Sequence, residues 1–255
     1  MRKTIAILNQ KGGVGKTTTA VNVGAYLAKA GKQVLLVDLD PQGNATSGLG
    51  TDKNSLGETL YDALFNHESA PSILLDTQIS GLKLLPSNAN LAGAEVQLVS
   101  SLQRELQLKQ MLEQFTEQDY ILVDCPPSLG LLTINALCAA DFVMIPVHTE
   151  YYALEGLGQL LSVVDRVKGA INPGLDILGL VLTMFDSRTS LSDQVMNEIK
   201  KHFGAKVFET VIPRNVRLAE APSFGQPISE HDKWSKGAKA YKALTKEIIK
   251  RVEKG

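Results

Sequence analysis

The segment that most constrains this chain is a glycine-rich stretch that directly follows a short apolar run. The apolar run covers residues 4–8, and residues 11–18 read Lys-Gly-Gly-Val-Gly-Lys-Thr-Thr. Glycines let a backbone turn tightly and point several N–H groups inward, and a helix N-terminus adds the positive end of its dipole. A strand, such a loop and a helix in this order predict a pocket for a polyphosphate.

Two lysines distinguish this loop from the common pattern G-x-x-x-x-G-K-[ST]. Gln10 stands where that pattern has its first glycine, and Lys11 is an additional cation, which gives the deviant Walker A form K-G-G-x-G-K-[ST]. We expect Lys16 to reach the β- and γ-phosphates and the Thr17 hydroxyl to ligate Mg²⁺. The residues predicted to bind the nucleotide here are Lys11, Gly12, Gly13, Val14, Gly15, Lys16, Thr17 and Thr18.

Strand-like and helix-like segments alternate along the chain, which predicts a doubly wound, mostly parallel α/β sheet with helices on both faces, of the P-loop NTPase type. Helical patterns cover 17–30, 98–115 and 241–252, and the glycine-rich segment 42–57 is predicted to be a loop. The predicted strands are 4–8, 33–38, 82–85, 120–124, 142–147, 177–183 and 206–212.

Length and cysteine content favour one domain in a reducing compartment. The 255 residues are 44% apolar, enough to bury a full core, so we expect residues 1–255 to form a single domain. Cys125 and Cys138 are too few for a disulfide framework, which favours the cytoplasm. We also expect neither a signal peptide nor a membrane span, since no apolar run approaches about 20 residues.

Three aspartates follow apolar strands and are candidates for the chemistry of hydrolysis. Asp38 lies at the end of the predicted strand 33–38 and Asp40 just beyond it, and Asp124 ends the strand 120–124 in the manner of a Walker B element. We expect Asp40 to position the attacking water, Asp38 to hold the outer shell of the metal, and Asp124 to bind Mg²⁺. Strand-end aspartates also cap loops, which is the structural alternative for each of them.

The segment after Asp124 continues as Cys-Pro-Pro-Ser, and its two prolines stiffen a stretch that could move when the γ-phosphate is lost. Cys125 invites a catalytic or iron–sulfur interpretation. No histidine or second cysteine lies nearby in the sequence, so we expect Cys125 to pack in the core.

Five motifs together make the chain resemble the ParA/Soj family of chromosome- and plasmid-partitioning ATPases, within the wider group that includes MinD and the nitrogenase iron protein. The resemblance extends from end to end. The motifs are residues 9–19, 37–46, 124–128, 150–156 and 211–218.

The resemblance implies a Mg²⁺-dependent ATPase in which ATP joins two subunits face to face. Lys11 would then reach the phosphates of the partner subunit. Its positive charge would offset the negative charge that develops on those phosphates during hydrolysis. Asp40 matches the water-positioning aspartate of the family. The segment that borders the adenine in the family corresponds to Pro213, Arg214 and Asn215.

The resemblance also implies non-specific DNA binding by the ATP-bound dimer, a ParB-type partner that stimulates a weak ATPase, and a nucleoid location. The charges agree: residues 1–182 contain 12 Lys+Arg and 18 Asp+Glu (net −6), and residues 183–255 contain 14 and 9 (net +5). Lys233-Trp234 departs from the family, which more often has Pro and then a basic residue. The candidate DNA contacts are Arg188 and Arg217, with Lys200, Lys201 and Lys236, which could equally be solvated surface lysines.

A MinD-like, membrane-positioned ATPase is the alternative function. The last predicted helix, 241–252, has Leu244, Ile248, Ile249 and Val252 on one face and could act as an amphipathic anchor. We favour packing of this helix against the sheet, because no separate amphipathic extension follows it, and so expect no membrane partner. An iron–sulfur electron donor is a third and remote interpretation.

Overall fold

A computed structural model of the chain describes residues 2–67, 70–150 and 153–254. Its seven strands form one sheet in the order β3-β4-β2-β5-β1-β6-β7. Every pair is parallel except β3 with β4, which confirms the predicted mostly parallel sheet. The strands are β1 (Lys3–Ile7), β2 (Val34–Asp38), β3 (Leu75–Asp76), β4 (Leu82–Leu85), β5 (Tyr120–Asp124), β6 (Phe142–His148) and β7 (Asp176–Thr183).

Helices cover both faces of the sheet, and two apolar clusters fill the space between. Ile5 and Ile7 of β1 face one cluster, which α1 and α11 cover, whereas Ala6 faces the other, which α3 to α8 cover. The helices are α1 (Lys16–Lys29), α2 (Asn44–Gly48), α3 (Leu60–Phe65), α4 (Ala94–Ser100), α5 (Gln107–Leu112), α6 (Leu131–Ala139), α7 (Ala153–Ala170), α8 (Ser190–Phe203), α9 (Val216–Glu220), α10 (Ile228–His231) and α11 (Lys236–Lys254).

Strand order brings the motifs to one edge of the sheet. β5 lies between β1 and β2, so that Asp124 pairs in register with Ile7 on one side and Asp38 on the other. The glycine-rich loop follows β1 at this same carboxyl edge, where ligands bind in open α/β sheets. Tyr151 and Tyr152 of the fourth resemblance motif lie outside the described residues.

The prediction of one continuous helix over 98–115 is wrong. The chain leaves α4 at Ser101, whose backbone is extended, and Gln103 takes a positive φ of 49° before α5 begins. Leu102, one of the leucines of this helical pattern, is 90% exposed. The predicted loop 42–57 also contains the short helix α2.

The predicted strand 206–212 is also wrong, because the segment makes only scattered backbone bonds to β7 and several of its other backbone groups bond to side chains of α11. Val207 forms only an isolated bridge to Leu180. The Arg251 guanidinium donates to the Val207 carbonyl at 2.9 Å. The Glu247 carboxylate accepts from two successive backbone N–H groups, those of Glu209 and Thr210, at 2.9 and 3.1 Å.

The apolar face of α11 packs in the core, as the favoured interpretation predicted. Leu244, Ile248 and Val252 are at most 4% exposed, and Tyr241 pairs its hydroxyl with that of Thr19 on α1 at 3.1 Å. This face is therefore already covered within the chain. Separately, no helix in the described ranges has the length and apolar character needed to cross a bilayer.

Candidate functional site

The loop between β1 and α1 is curled by positive backbone angles and fastened to β6. Gly13 and Gly15 have φ values of 72° and 86°, a conformation that favours glycine, and α1 begins at the next residue. The Lys11 N–H donates to Asn9 Oδ1 at 3.0 Å, and Asn9 Nδ2 donates to the Pro146 carbonyl at 2.7 Å. The loop thus wraps the N-terminus of α1, as the pattern predicted.

Gly12 has no conformational reason within this chain to be glycine. Its φ is not positive, and a Cβ built on it would meet nothing within 4 Å. The sequence alone could not separate turn geometry from a need for close approach at this position. Here the geometry removes the first explanation.

Lys16 is buried at the centre of the site, only 7% exposed. Its Nζ donates to the Lys11 carbonyl at 3.2 Å across the loop. Burial lowers the pKa of Lys16, and the nearby carboxylates of Asp124 and Asp40 act in the opposite direction. The loop lysine and the two aspartates predicted from separate segments are therefore neighbours.

Asp38 makes the hydrogen bonds of a structural cap. Its Oδ2 accepts from the Thr46 N–H at 2.8 Å and from the Thr46 hydroxyl at 2.7 Å, and the residue is fully buried. Burial raises its pKa despite these bonds, and the charge of Asp40 adds to the rise. Asp38 thus holds α2 against the end of β2, as its structural alternative proposed, beside the predicted metal position.

Asp40 faces the loop, and a hydrogen bond holds one of its carboxylate oxygens. Its Oδ1 accepts from the Gln42 N–H at 2.9 Å, and its backbone carbonyl accepts from the Ser87 hydroxyl at 3.0 Å. Only 6% of the residue is exposed, so its orientation is set by packing as well as by these bonds.

Asp124 is the most unusual group of the site, because it is a fully buried carboxylate with no bonded partner. Neither of its oxygens accepts a hydrogen bond within normal geometry from any residue in the described ranges. Burial raises its pKa well above the usual value, repulsion from Asp38 adds to this, and the nearby Thr17 hydroxyl offsets only part of the rise. A buried polar atom without a partner is costly and calls for a ligand.

A cation would satisfy Asp124, so the residues fit Mg²⁺. In nucleotide sites Mg²⁺ is held by one or two carboxylates, phosphate oxygens and water. Asp124 and the Thr17 hydroxyl supply oxygen atoms of that kind. No group of three or more His, Cys, Asp or Glu side chains within the described ranges is arranged to hold a metal.

A cavity of about 360 Å³ adjoins the loop and contains the predicted adenine segment. Gly15 and Thr18 line one side of it. The sequence analysis missed Thr183 and Met184, which also line it and lie at the end of β7, the same edge at which the other strands end. Met184 has a positive φ of 51°. The three predicted residues that also line it are Pro213, Arg214 and Asn215.

The candidate DNA contacts lie on exposed elements, and both arginines are paired. Arg188 Nε and Nη2 donate to the two Asp186 oxygens at 2.8 and 2.6 Å, which holds the pKa of Asp186 far below its usual range. Arg217 Nη1 donates to Glu220 at 2.9 Å. The exposed lysines on α8 and at the start of α11 are Lys200, Lys201 and Lys236.

Cys125 packs in the core as expected. It is 0% exposed and belongs to the apolar cluster beneath α3 to α8, and its buried thiol has a raised pKa. Cys138 is also buried and free. A raised pKa disfavours the thiolate that nucleophilic chemistry and metal ligation need.

Comparison with known proteins gives one family model and many similar chains. The family model described as an AAA domain matches residues 2–177. The chain is 56% identical over 249 residues to the sporulation initiation inhibitor protein Soj of Bacillus subtilis, covering 97% of this chain and 98% of that protein. It is 51% identical over 252 residues to the chromosome-partitioning ATPase Soj of Treponema pallidum, covering 98% of both.

The solved structures show the same architecture. Cobyrinic acid a,c-diamide synthase from Mycobacterium smegmatis, solved with ADP and magnesium bound, matches with a TM-score of 0.88 at 37% identity, covering 99% of this chain and 96% of that one. The glycine-rich loop and the strand edge described above thus occur in a fold that holds a nucleotide and magnesium in a relative.

Proposed function

This chain belongs to the Soj/ParA family of chromosome-partitioning ATPases, and from that premise we propose that it hydrolyses ATP with Mg²⁺ and couples hydrolysis to self-association and to non-specific DNA binding. The observation that supports this best is the cluster of Lys16, Asp40 and the unpartnered Asp124 around the loop. We also propose that residues 1–255 form one domain, since a single sheet carries both apolar clusters.

In the proposed reaction the chain supplies position and charge rather than a covalent step. The loop N–H groups and Lys16 would bind the phosphates of ATP, and the cavity at Pro213 to Asn215 would take the base. Asp124, Thr17 and Asp38 are the residues that would hold Mg²⁺, and the metal would supply positive charge for the phosphates. Asp40 would orient the water in line with the γ-phosphorus, held by its bond from Gln42.

Self-association through the glycine-rich face accounts for two features of the loop. Gly12 and Gly13 are exposed, with open space where a Cβ would stand, so a second backbone or its nucleotide could approach closely. Lys11 is half-exposed on the same loop, and its Nζ contacts the half-exposed Glu150. A second subunit would therefore receive Lys11 at its phosphates.

DNA binding is proposed for Arg188 and Arg217, together with the exposed lysines Lys200, Lys201 and Lys236. Each arginine has five N–H donors and keeps one or more for a phosphate while paired with its carboxylate. The positive balance of residues 183–255 favours the same residues. We propose a nucleoid location and a DNA-bound ParB-type partner that stimulates turnover, as the family assignment suggests.

The test is DNA retention by the Asp40→Ala protein with ATP, ADP or no nucleotide, at low and moderate salt. Retention on arbitrary duplex only with ATP, weakening steeply with salt, is the expected result. Arg188→Glu and Arg217→Glu should abolish it, whereas Lys250→Glu, on an exposed site of α11 that is not among the proposed contacts, should weaken it far less. Failure to bind under any condition would contradict the proposal, and vesicle binding would then favour the MinD-like alternative.

A further inference from the structure

Trp234 is the single tryptophan of the chain and is 75% exposed. It lies two residues before α11, on a turn with a fixed backbone. The N–H groups of Trp234 and Ser235 both donate to Asp232 Oδ1 at 3.1 Å, and the Ser235 hydroxyl caps the N–H of Ala238 at 3.1 Å. The indole is thus presented to solvent from an anchored turn, where a large apolar ring gains nothing from burial.

One cation contacts this ring, and two more belong to neighbouring positions at the start of α11 and on α9. Lys233 Nζ lies 5.4 Å from the ring centroid, within the range of a cation–π contact. Arg217 Nε lies 3.7 Å from Asp232 Oδ2, so the proposed DNA-binding arginine adjoins the same turn. Lys236, the first residue of α11, is exposed two residues further on.

The positions of Arg217 and Trp234 are fixed relative to each other by close packing of their elements. A Cβ added to Gly237 would lie 2.6 Å from the Leu218 side chain, so α11 and α9 touch at their N-terminal ends. The carboxylate of Asp232 contacts both the turn and the arginine. Ring and cations therefore belong to one surface, which we call the Trp234 surface: Arg217, Lys233, Trp234 and Lys236.

An exposed aromatic ring among cations is the arrangement with which proteins bind single-stranded nucleic acid. Bases stack on the ring while the cations contact successive phosphates, and stacking tolerates any base because each has a π-face. An intact duplex hides those faces, and a ring can enter only by unstacking a base step. The phosphate contacts serve both forms of DNA, whereas the ring favours unpaired bases.

We propose that Trp234 is a base-stacking residue and that the Trp234 surface binds single-stranded DNA in addition to duplex. The proposal rests on the proposed DNA binding, because the two share Arg217 and Lys236. It goes beyond it by assigning to Trp234 a preference for unpaired bases.

The test is a titration of the full-length Asp40→Ala protein with ATP against oligothymidylate of about 20 nucleotides and a 20-base-pair duplex. Trp234 is the only tryptophan, so its emission reports on this ring alone. Oligothymidylate should quench it strongly and the duplex weakly. The variants without tryptophan are measured by the fluorescence anisotropy of dye-labelled DNA: Trp234→Ala should lower affinity for oligothymidylate about tenfold and for duplex less than threefold, and Trp234→Phe should restore most of the loss.

Phe224→Ala is the matched control, since Phe224 is 65% exposed nearby but stacks on His231 with ring centroids 4.8 Å apart. It should change neither affinity. Two results would overturn the stacking role. One is an affinity for oligothymidylate that Trp234→Ala leaves unchanged. The other is tryptophan emission that oligothymidylate does not change but that anionic phospholipid vesicles shift to the blue. Duplex binding is measured separately from oligothymidylate binding. Absence of duplex binding would count against the proposed function, whereas quenching by oligothymidylate would still support this inference.

Discussion

Lys11 Nζ lies 2.5 Å from Glu150 Oε2 of the same chain, so the loop lysine expected to act on a second subunit is engaged within its own. Glu150 also contacts His148 Nδ1 at 2.8 Å, and the bond from Lys11 lowers the pKa of Glu150. Both partners of the ion pair are about half-exposed. Such a pair is weak enough to open when a phosphate competes for the lysine.

Replacing Glu150 should release Lys11 and favour self-association. In Glu150→Gln we expect ATP-dependent dimers to form at a protein concentration up to about fivefold lower, the range that an exposed ion pair supplies. Sedimentation velocity with a non-hydrolysable ATP analogue measures this. Glu253→Gln, which breaks the exposed pair with Lys32 at 3.0 Å on another face, should leave the midpoint unchanged. An unchanged midpoint in Glu150→Gln would mean that the contact does not restrain Lys11.

Gly12→Ala should leave folding intact but prevent self-association. Its Cβ meets open space and its φ is not positive, so the unfolding free energy should stay the same or rise by up to about 1 kcal/mol. Self-association with ATP should be lost, because the methyl group obstructs the second subunit or its nucleotide. Gly57→Ala, which also meets nothing within 4 Å, is the control and should dimerise normally. Normal dimerisation of Gly12→Ala would leave this glycine unexplained.

Asp40→Ala and Lys16→Ala should fail at different steps. Asp40→Ala removes the water-positioning carboxylate, so turnover should fall at least about 100-fold while ATP still drives dimerisation. Lys16→Ala removes the buried cation, so ATP should no longer raise the melting temperature at all. Phosphate release and thermal shift measure the two effects. Ordinary hydrolysis by Asp40→Ala would refute the assigned role of that residue.

The sequence predicted the features that depend on local pattern. The alternation of apolar strands with helices gave the sheet, and the loop at 11–18 with the aspartates at strand ends gave the cluster around Lys16, because carboxyl ends of parallel strands share an edge. The predicted helix and strand boundaries were wrong where side chains from distant elements determine them. Arg251 and Glu247 bond to several backbone groups at 206–212, and nothing in that segment itself signals this.

Partners in the site were harder to predict than the residues themselves. Asp38 finds Thr46 eight residues later only because α2 folds back on β2. Lys11 and Glu150 are 139 residues apart and meet because β6 lies beside β1. Glu150 follows the end of β6 at the edge that carries the loop, so the strand order, once known, would have indicated it.

Asp124→Asn should stabilise the nucleotide-free protein and abolish its response to Mg²⁺ and ATP. The buried carboxylate has a raised pKa and no partner, so removing its charge should add about 1–3 kcal/mol to the unfolding free energy near pH 8. That corresponds to a melting temperature about 2–10 °C higher. Asp119→Asn is the control. Asp119 lies at the opposite end of β5 and, unlike Asp124, accepts a hydrogen bond from a backbone N–H.

The gain in Asp124→Asn should depend on pH in a defined direction. Because the folded pKa lies above the unfolded value of about 3.9, the folded state binds more protons between the two values. Wild-type stability therefore falls as pH rises through that window, and the variant should lack most of this fall. The difference in melting temperature should be larger at pH 8 than at pH 5. A difference independent of pH would show that the charge of Asp124 is not the cause.

We expect Arg251 to stabilise the folded protein, although its place on the polar side of a helical sequence pattern gives no sign of this. Its guanidinium donates to the carbonyls of Leu178 and Val207 at 3.0 and 2.9 Å and lies 4.1 Å from the ring centroid of Phe208. Arg251→Ala leaves these carbonyls without their donor and should lower the unfolding free energy by about 2–4 kcal/mol, measured by urea denaturation. Arg251→Lys should recover less than half, since one ammonium cannot match the planar fork. Lys250→Ala, an exposed neighbour, should change stability by less than about 0.5 kcal/mol, and an equal effect of the two alanine variants would contradict the role assigned to Arg251.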